Sequence, residues 1–171
     1  EYCTFSKLSL WKLLLVITII ALLLRLPLLD QSFWLDEAAQ ALESARPFSQ
    51  QLQIQQDFQP PLLHYITHAA IQVSTAEWWL RLWGALIPGI LSIVGTSYLA
   101  AKLFSKRTAL LTGILIATHS FHIFYSQELR PYSLPVVWAV LSWIWLTVDP
   151  QKIIKHKYSP WIWAGGLALI N

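Results

Sequence analysis

Phe33-Trp34-Leu35-Asp36-Glu37-Ala38 sets two adjacent carboxylates just past a long apolar run, Leu8 to Leu29. Acidic side chains at the edge of a membrane-length helix are costly and are kept where something requires them. The rest of the chain can be read by asking which groups return to meet Asp36 and Glu37. Both fall in the first turn of a helix predicted over 33–46. A carboxylate there complements the helix dipole, worth about 0.3–1 kcal/mol at an exposed site, but one would suffice. Two carboxylates side by side oppose each other's ionisation. The arrangement suits one base with a hydrogen-bonded neighbour.

Composition places this stretch in a membrane protein. Of 171 residues, 56% are hydrophobic and 12% charged, against about 25% charged in a typical soluble domain. Mean hydropathy is +0.49. The apolar residues gather in long blocks rather than short alternating runs. Ten tryptophans suit a chain with many wet interfaces. A single cysteine, Cys3, excludes an internal disulfide framework. The chain has no methionine, and the run Trp161–Ile170 is too short to cross a bilayer. A piece of a longer protein is expected.

Outward from the acidic pair, the pattern predicts an all-α membrane protein. It has about four complete transmembrane helices, the start of a fifth, and two amphipathic surface helices. Leu8–Leu29 is long enough to span and has no small-residue cleavage site after it, unlike a signal peptide. In 33–46, Leu35, Ala38, Leu42 and Ala45 share one face while Asp36, Gln40 and Glu43 lie on another, as in a helix lying along the membrane. Pro60-Pro61 opens a second surface helix over 61–74. Its apolar stripe is Leu62, Ile66, Ala69 and Val73, with His64, His68 and Gln72 opposite as a wet face. Further spans are expected over 78–99, 109–125 and 132–148, and a fifth begins at Trp161.

Charge sets the orientation. Lys7, Lys12, Lys102, Lys106, Arg107, Lys152, Lys155 and Lys157 fall on one side, with Glu1 and Asp149. Four basic and seven acidic residues fall on the other. The positive-inside rule makes the first side cytoplasmic. The acidic pair, both surface helices and the turn before the fourth span then face outside, in a cell (inner) membrane. Spanning at 61–74 instead would reverse the Lys102–Arg107 cluster, against the rule.

That turn, Gln127-Glu128-Leu129-Arg130-Pro131-Tyr132, supplies a guanidinium suited to a phosphate oxygen. It is expected to fold over the first surface helix and bring Glu128 or Arg130 close to Asp36, since buried charges need partners. Arg25 is expected to snorkel outward or pair with Asp36. His64 and His68 have the i, i+4 spacing of a metal pair but lack a third ligand, so no metal is expected. No phosphate-binding glycine loop or nucleophile elbow is present. The basic residues sit in short loops as topology requires, so no nucleic acid partner is expected.

At these residues the chain resembles the polytopic GT-C glycosyltransferases, in particular the bacterial branch related to protein O-mannosyltransferases and aminoarabinose transferases. The matching segments are Trp34-Leu35-Asp36-Glu37-Ala38, Asp57-Phe58-Gln59-Pro60-Pro61-Leu62, Trp79-Leu80-Arg81-Leu82 and Glu128-Leu129-Arg130-Pro131-Tyr132. The resemblance implies an enzyme that moves a sugar from a polyprenyl-phosphate donor to an extracytoplasmic acceptor hydroxyl, on lipid, glycan or protein, without a cofactor. Asp36 and Glu37 are then the expected catalytic pair, with Asp36 as base. Arg130, Glu128, Tyr132, Asp57, His64 and Arg81 are the expected substrate-binding residues. The other reading is a transporter or non-catalytic scaffold. A transporter should show inverted repeats or broken helices near the bilayer midplane, and the sequence shows neither.

Overall fold

The computed structural model describes residues 9–53 and 61–148. Among them every regular element is helical. Asp57, part of the predicted 61–74 helix's approach, and the expected fifth span from Trp161 lie outside the described residues.

Helix α1 (Leu10–Leu23) gives way at Arg25 to a 3₁₀ turn, Leu26–Leu28, with Pro27 at its start. Proline cannot donate to an α-helical ladder and clashes with the preceding turn, so the helix stops here. Helix α2 (Leu35–Ser44) follows, then a 3₁₀ turn at Phe48–Gln53 and α3 (Pro61–Ile71). Helix α4 (Glu77–Arg81) passes through a π turn, Leu82–Leu86, into α5 (Ile87–Leu103). The helix thus continues past the expected end at 99. Ser105 caps α6 (Lys106–Thr118) by accepting from the backbone N–H of Thr108 at 3.1 Å. His119 is extended, with ψ of 122°, and breaks the expected 109–125 span into α6 and α7 (Ser120–Tyr125). Helix α8 is Ser133–Val148.

Two of these stretches, Leu10–Leu28 and Glu77–Leu103, are long and apolar enough to cross a membrane. Helix α6 has 13 residues, short of the ~20 a perpendicular crossing takes, and α8 covers 16 up to the end of the described residues.

Helix α5 is central and packs against α1, α6 and α8. One core joins α1, α5 and α6 through Leu13, Leu14, Ile17, Ala21, Ile93, Ala100, Ala109 and Ala117. Small residues let the helices approach: a Cβ on Gly113 would lie 2.5 Å from Ile17 Cδ1. A second core sits above it, where Leu63 and Ala70 of α3 meet Leu80, Leu129 and Leu134. Leu129 therefore anchors the 126–132 turn in that upper core.

The surface helices depart from the expected wet and dry faces: α2 inverts them, while α3 keeps Leu62 and Ile66 on the core, with Gln72 after it exposed, but turns His64 inward. His64 and Thr67 of α3 are buried against Gln40 and Ser44 of α2. Leu35 (85% exposed), Leu42 (73%) and Val73 (74%) point outward. His64 is thus no wet-face residue. Its Nδ1 lies 3.0 Å from both Gln40 Nε2 and Ser44 Oγ, and Ser44 Oγ donates to the Gln40 carbonyl at 2.7 Å. The polar faces of α2 and α3 thus meet each other, although Gln40 Oε1 and Thr67 Oγ1 are buried there without a hydrogen-bond partner.

Candidate functional site

The site forms where the end of α1, the start of α2, α4 and the 126–132 turn converge. Its foundation is Glu37, which is fully buried. Arg81 grips it with a fork: Nε donates to Oε1 at 2.9 Å and Nη2 to Oε2 at 2.6 Å. The Leu129 N–H donates to Oε1 at 2.7 Å, and the Trp34 N–H to Oε2 at 3.2 Å. The last contact is one half of a capping box; tryptophan has no side-chain acceptor to complete the other half. The remaining Arg81 donors go to the carbonyls of Leu29 (2.9 Å), Gln31 and Ser32 (3.4 Å). The guanidinium also lies over the Phe33 ring, 4.9 Å from its centroid. Glu77 adds to this clamp by accepting from the Phe33 N–H at 3.3 Å.

A guanidinium has five N–H donors, and here all five are engaged within the protein. Both oxygens of Glu37 are likewise taken. Glu37 and Arg81, expected in catalysis and substrate binding, thus make these contacts with each other and with the backbone. Together they tie α4, the 29–34 segment, α2 and the turn into one unit.

Asp36, one residue away, has its side chain 68% exposed, with Oδ2 3.9 Å from Arg130 Nη2. The turn thus does fold over α2, as expected. At that exposure and distance the ion pair contributes about 0–1 kcal/mol and does not hold the fold. Arg130 is mostly covered, and its Nε is buried without a hydrogen-bond partner. Glu128 shows the same feature: its Oε2 is buried without a partner. Burial, then the charge of Glu37, raises the Glu128 pKa above 4.5, with Asp36 adding to the rise and Arg130 and Arg81 opposing it. Buried polar atoms without partners are uncommon in folded proteins. Gln40, Glu43, Gln51 and Thr67 carry others; the two here lie on the turn that approaches Asp36.

Glu128 also borders a cavity of about 60 Å³, with room for about two waters. Its walls are Gln31, Trp34, Glu37, Arg81, Gln127 and Glu128, with Leu28 and Phe124. Composition singled out neither Gln31 nor Gln127; Gln127 lies within the quoted turn segment, whereas nothing marks Gln31. Tyr132 faces elsewhere. It packs on Tyr125, with centroids 4.5 Å apart, and lines a separate cavity of about 200 Å³ with Phe121, His122 and Val136. His64 lies between α2 and α3, away from the cavity's walls. No cluster of His, Cys, Asp or Glu suited to a metal occurs among the described residues.

Arg25 neither snorkels nor meets Asp36. It is fully buried, and it bonds to Ser126, His122 and two backbone carbonyls.

Compared with known proteins, the chain matches no family model, no curated protein and no solved structure.

Proposed function

We propose that this chain belongs to a membrane glycosyltransferase that moves a sugar from a polyprenyl-phosphate donor to an acceptor hydroxyl outside the cytoplasm. The observation that carries the reading is the pairing of an exposed Asp36 with Arg130, on the turn whose Glu128 lines the cavity. A phosphate would meet the partly exposed Arg130 guanidinium. Donor sugar hydroxyls would donate to Glu128 on the cavity wall.

In this mechanism Asp36 accepts the proton of the acceptor hydroxyl. The hydroxyl oxygen attacks the anomeric carbon as the carbon–oxygen bond to phosphate breaks. The bonding pair leaves on the phosphate, whose growing charge Arg130 stabilises. Attack opposite the leaving group inverts the anomeric centre. A neutralised lipid phosphate is a competent leaving group, so the mechanism calls on no cofactor.

We further propose that α6–α7 and α8 cross the bilayer along with Leu10–Leu28 and Glu77–Leu103, and that the site faces outside. The exposed apolar side chains of α1 and α8, including Leu15, Ile19, Leu141 and Trp143, support contact with lipid. The break at His119 is supported in lipid by Arg25, which takes up the Ala117 carbonyl that the interrupted helix leaves free.

The test is sugar transfer from a radiolabelled polyprenyl-phosphate donor by the full-length protein. Asp36→Asn should lower the single-turnover rate by about 10²–10⁴ while donor binding persists. Arg130→Ala should weaken donor binding and turnover together, and Arg130→Lys should restore only part. Normal turnover by Asp36→Asn would end the assignment of Asp36 as base.

A further inference from the structure

Arg25 is the one described guanidinium whose partners are all neutral. Its Nε donates to Ser126 Oγ at 2.6 Å, and Nη1 to the carbonyls of Ala21 and Ala117, both at 3.0 Å. Nη2 lies 3.0 Å from His122 Nδ1. An arginine only donates, so His122 accepts at Nδ1 and carries its proton on Nε2. That nitrogen lies 3.0 Å from Ser92 Oγ, which donates onward to the Gly89 carbonyl at 2.7 Å. The Arg25 carbonyl in turn accepts from Gln127 Nε2 at 2.7 Å.

These contacts reach four segments: the last turn of α1, the last turn of α6, α7, and the start of the 126–132 turn. A buried cation without a counter-ion is costly, and surface packing of α1 alone does not call for one. The partners explain it. The Ala117 carbonyl is left without a helical partner by the break at His119, and Ser126 and Gln127 open the turn that carries Glu128 and Arg130. Ser126 is fully buried and is pressed on its other side by Gly89, where any Cβ would collide with it. The far side of the turn is held by the Leu129 N–H on Glu37.

We infer that Arg25 is the positioning residue of the site: it holds the α6–α7 break and, through Ser126 and Gln127, sets where Glu128 and Arg130 stand over α2. It touches neither substrate nor reacting atoms. The inference rests on the transferase reading only for its effect on rate; its structural content stands separately. Lysine would keep the charge and lose the function, because one ammonium cannot serve partners on four segments as a planar fork does.

The experiment places spin labels at positions 35 and 132, both exposed, in the full chain with Cys3→Ser, reconstituted in lipid. The distance between α2 and the turn should be narrowly distributed. Arg25→Lys should broaden and lengthen it, and Ser126→Ala, which removes one acceptor without adding bulk, should do so to a lesser degree. In the unlabelled protein Arg25→Lys should lower kcat/KM for transfer by about 10²-fold, the cost of roughly 1 Å of misplacement. Unchanged distances in both variants would overturn the inference, as would an unchanged distance in Ser126→Ala should Arg25→Lys fail to fold. A chain that transfers no sugar at all would remove the transferase reading and leave the distance result to decide the role of Arg25.

Discussion

Asp36 and Glu37 are neighbours in sequence with opposite fates, because adjacent residues on a helix point about 100° apart. Glu37 turns inward onto Arg81 and the Leu129 N–H, while Asp36 turns outward towards Arg130. Removing one partner of a buried pair costs about 3–5 kcal/mol, since the other charge is left uncompensated. Glu37→Gln should therefore lower the thermal midpoint sharply. Asp36→Asn should stay within about 0.5 kcal/mol of the parent, as an exposed substitution does. Thermal unfolding of both variants in the same detergent checks this, and equal destabilisation would refute it. Glu128 has its own signature. Its carboxyl keeps a proton more readily in the folded state than in the unfolded chain, whose value is near 4.5. From that pH upward the folded state binds more protons than the unfolded one, so stability falls as pH rises until the folded group has titrated. Glu128→Gln, which cannot ionise, should flatten this fall. A parallel pH profile for the two proteins would contradict the direction of the shift.

At the scale of elements, the α4–π–α5 helix is the rail on which the turn rides. Two glycines on it face the turn. A Cβ on Gly84 would lie 2.5 Å from Leu129 Cδ1 and 3.0 Å from Leu63 Cδ1, both ends of flexible side chains. A Cβ on Gly89 would run into Ser126 at its own Cβ, with its backbone Cα 3.4 Å away. Glycine to alanine within a helix is otherwise favourable by about 1 kcal/mol. Gly84→Ala should thus be close to neutral once the leucine ends rotate. Gly89→Ala should destabilise, since Ser126 is held by Arg25 and cannot retreat. Unfolding midpoints of the pair provide the measurement, and a Gly89→Ala variant more stable than Gly84→Ala would show that Ser126 is not clamped.

Among the described residues, buried polar side chains sit beside the two apolar cores, while many large apolar side chains remain exposed. Gln40, Ser44, His64 and Thr67 are buried, as are Arg25 and Arg81, while Leu35, Leu42, Trp143 and Leu146 are exposed. That distribution fits a lipid solvent, in which polar groups must find partners within the protein. In the proposed orientation, with the site outside and Lys106 inside, a cysteine at position 72 should react with an impermeant label applied from outside, in a Cys3-free background. One at position 106 should react only after the membrane is opened. The reversed pattern would invert the proposed orientation.

The sequence by itself determined the helical class, the two runs long and apolar enough to cross a membrane, and the place of the acidic pair. Each depends on local quantities: run length, period and the charge of short loops. It also marked the turn at 126–132 and its approach to Asp36, because an isolated charged segment between apolar blocks has few places to go. Only the tertiary structure decided which carboxylate is anchor and which is free, since the choice depends on the reach of Arg81 from a helix that starts some forty residues later. The same holds for His64, which period alone assigned to water and which the polar face of α2 takes inside. Arg25 is the clearest case. Nothing near it in sequence distinguishes a snorkelling arginine from a buried one. Its partners lie on α6, α7 and the turn, and they converge only because the helix breaks at His119.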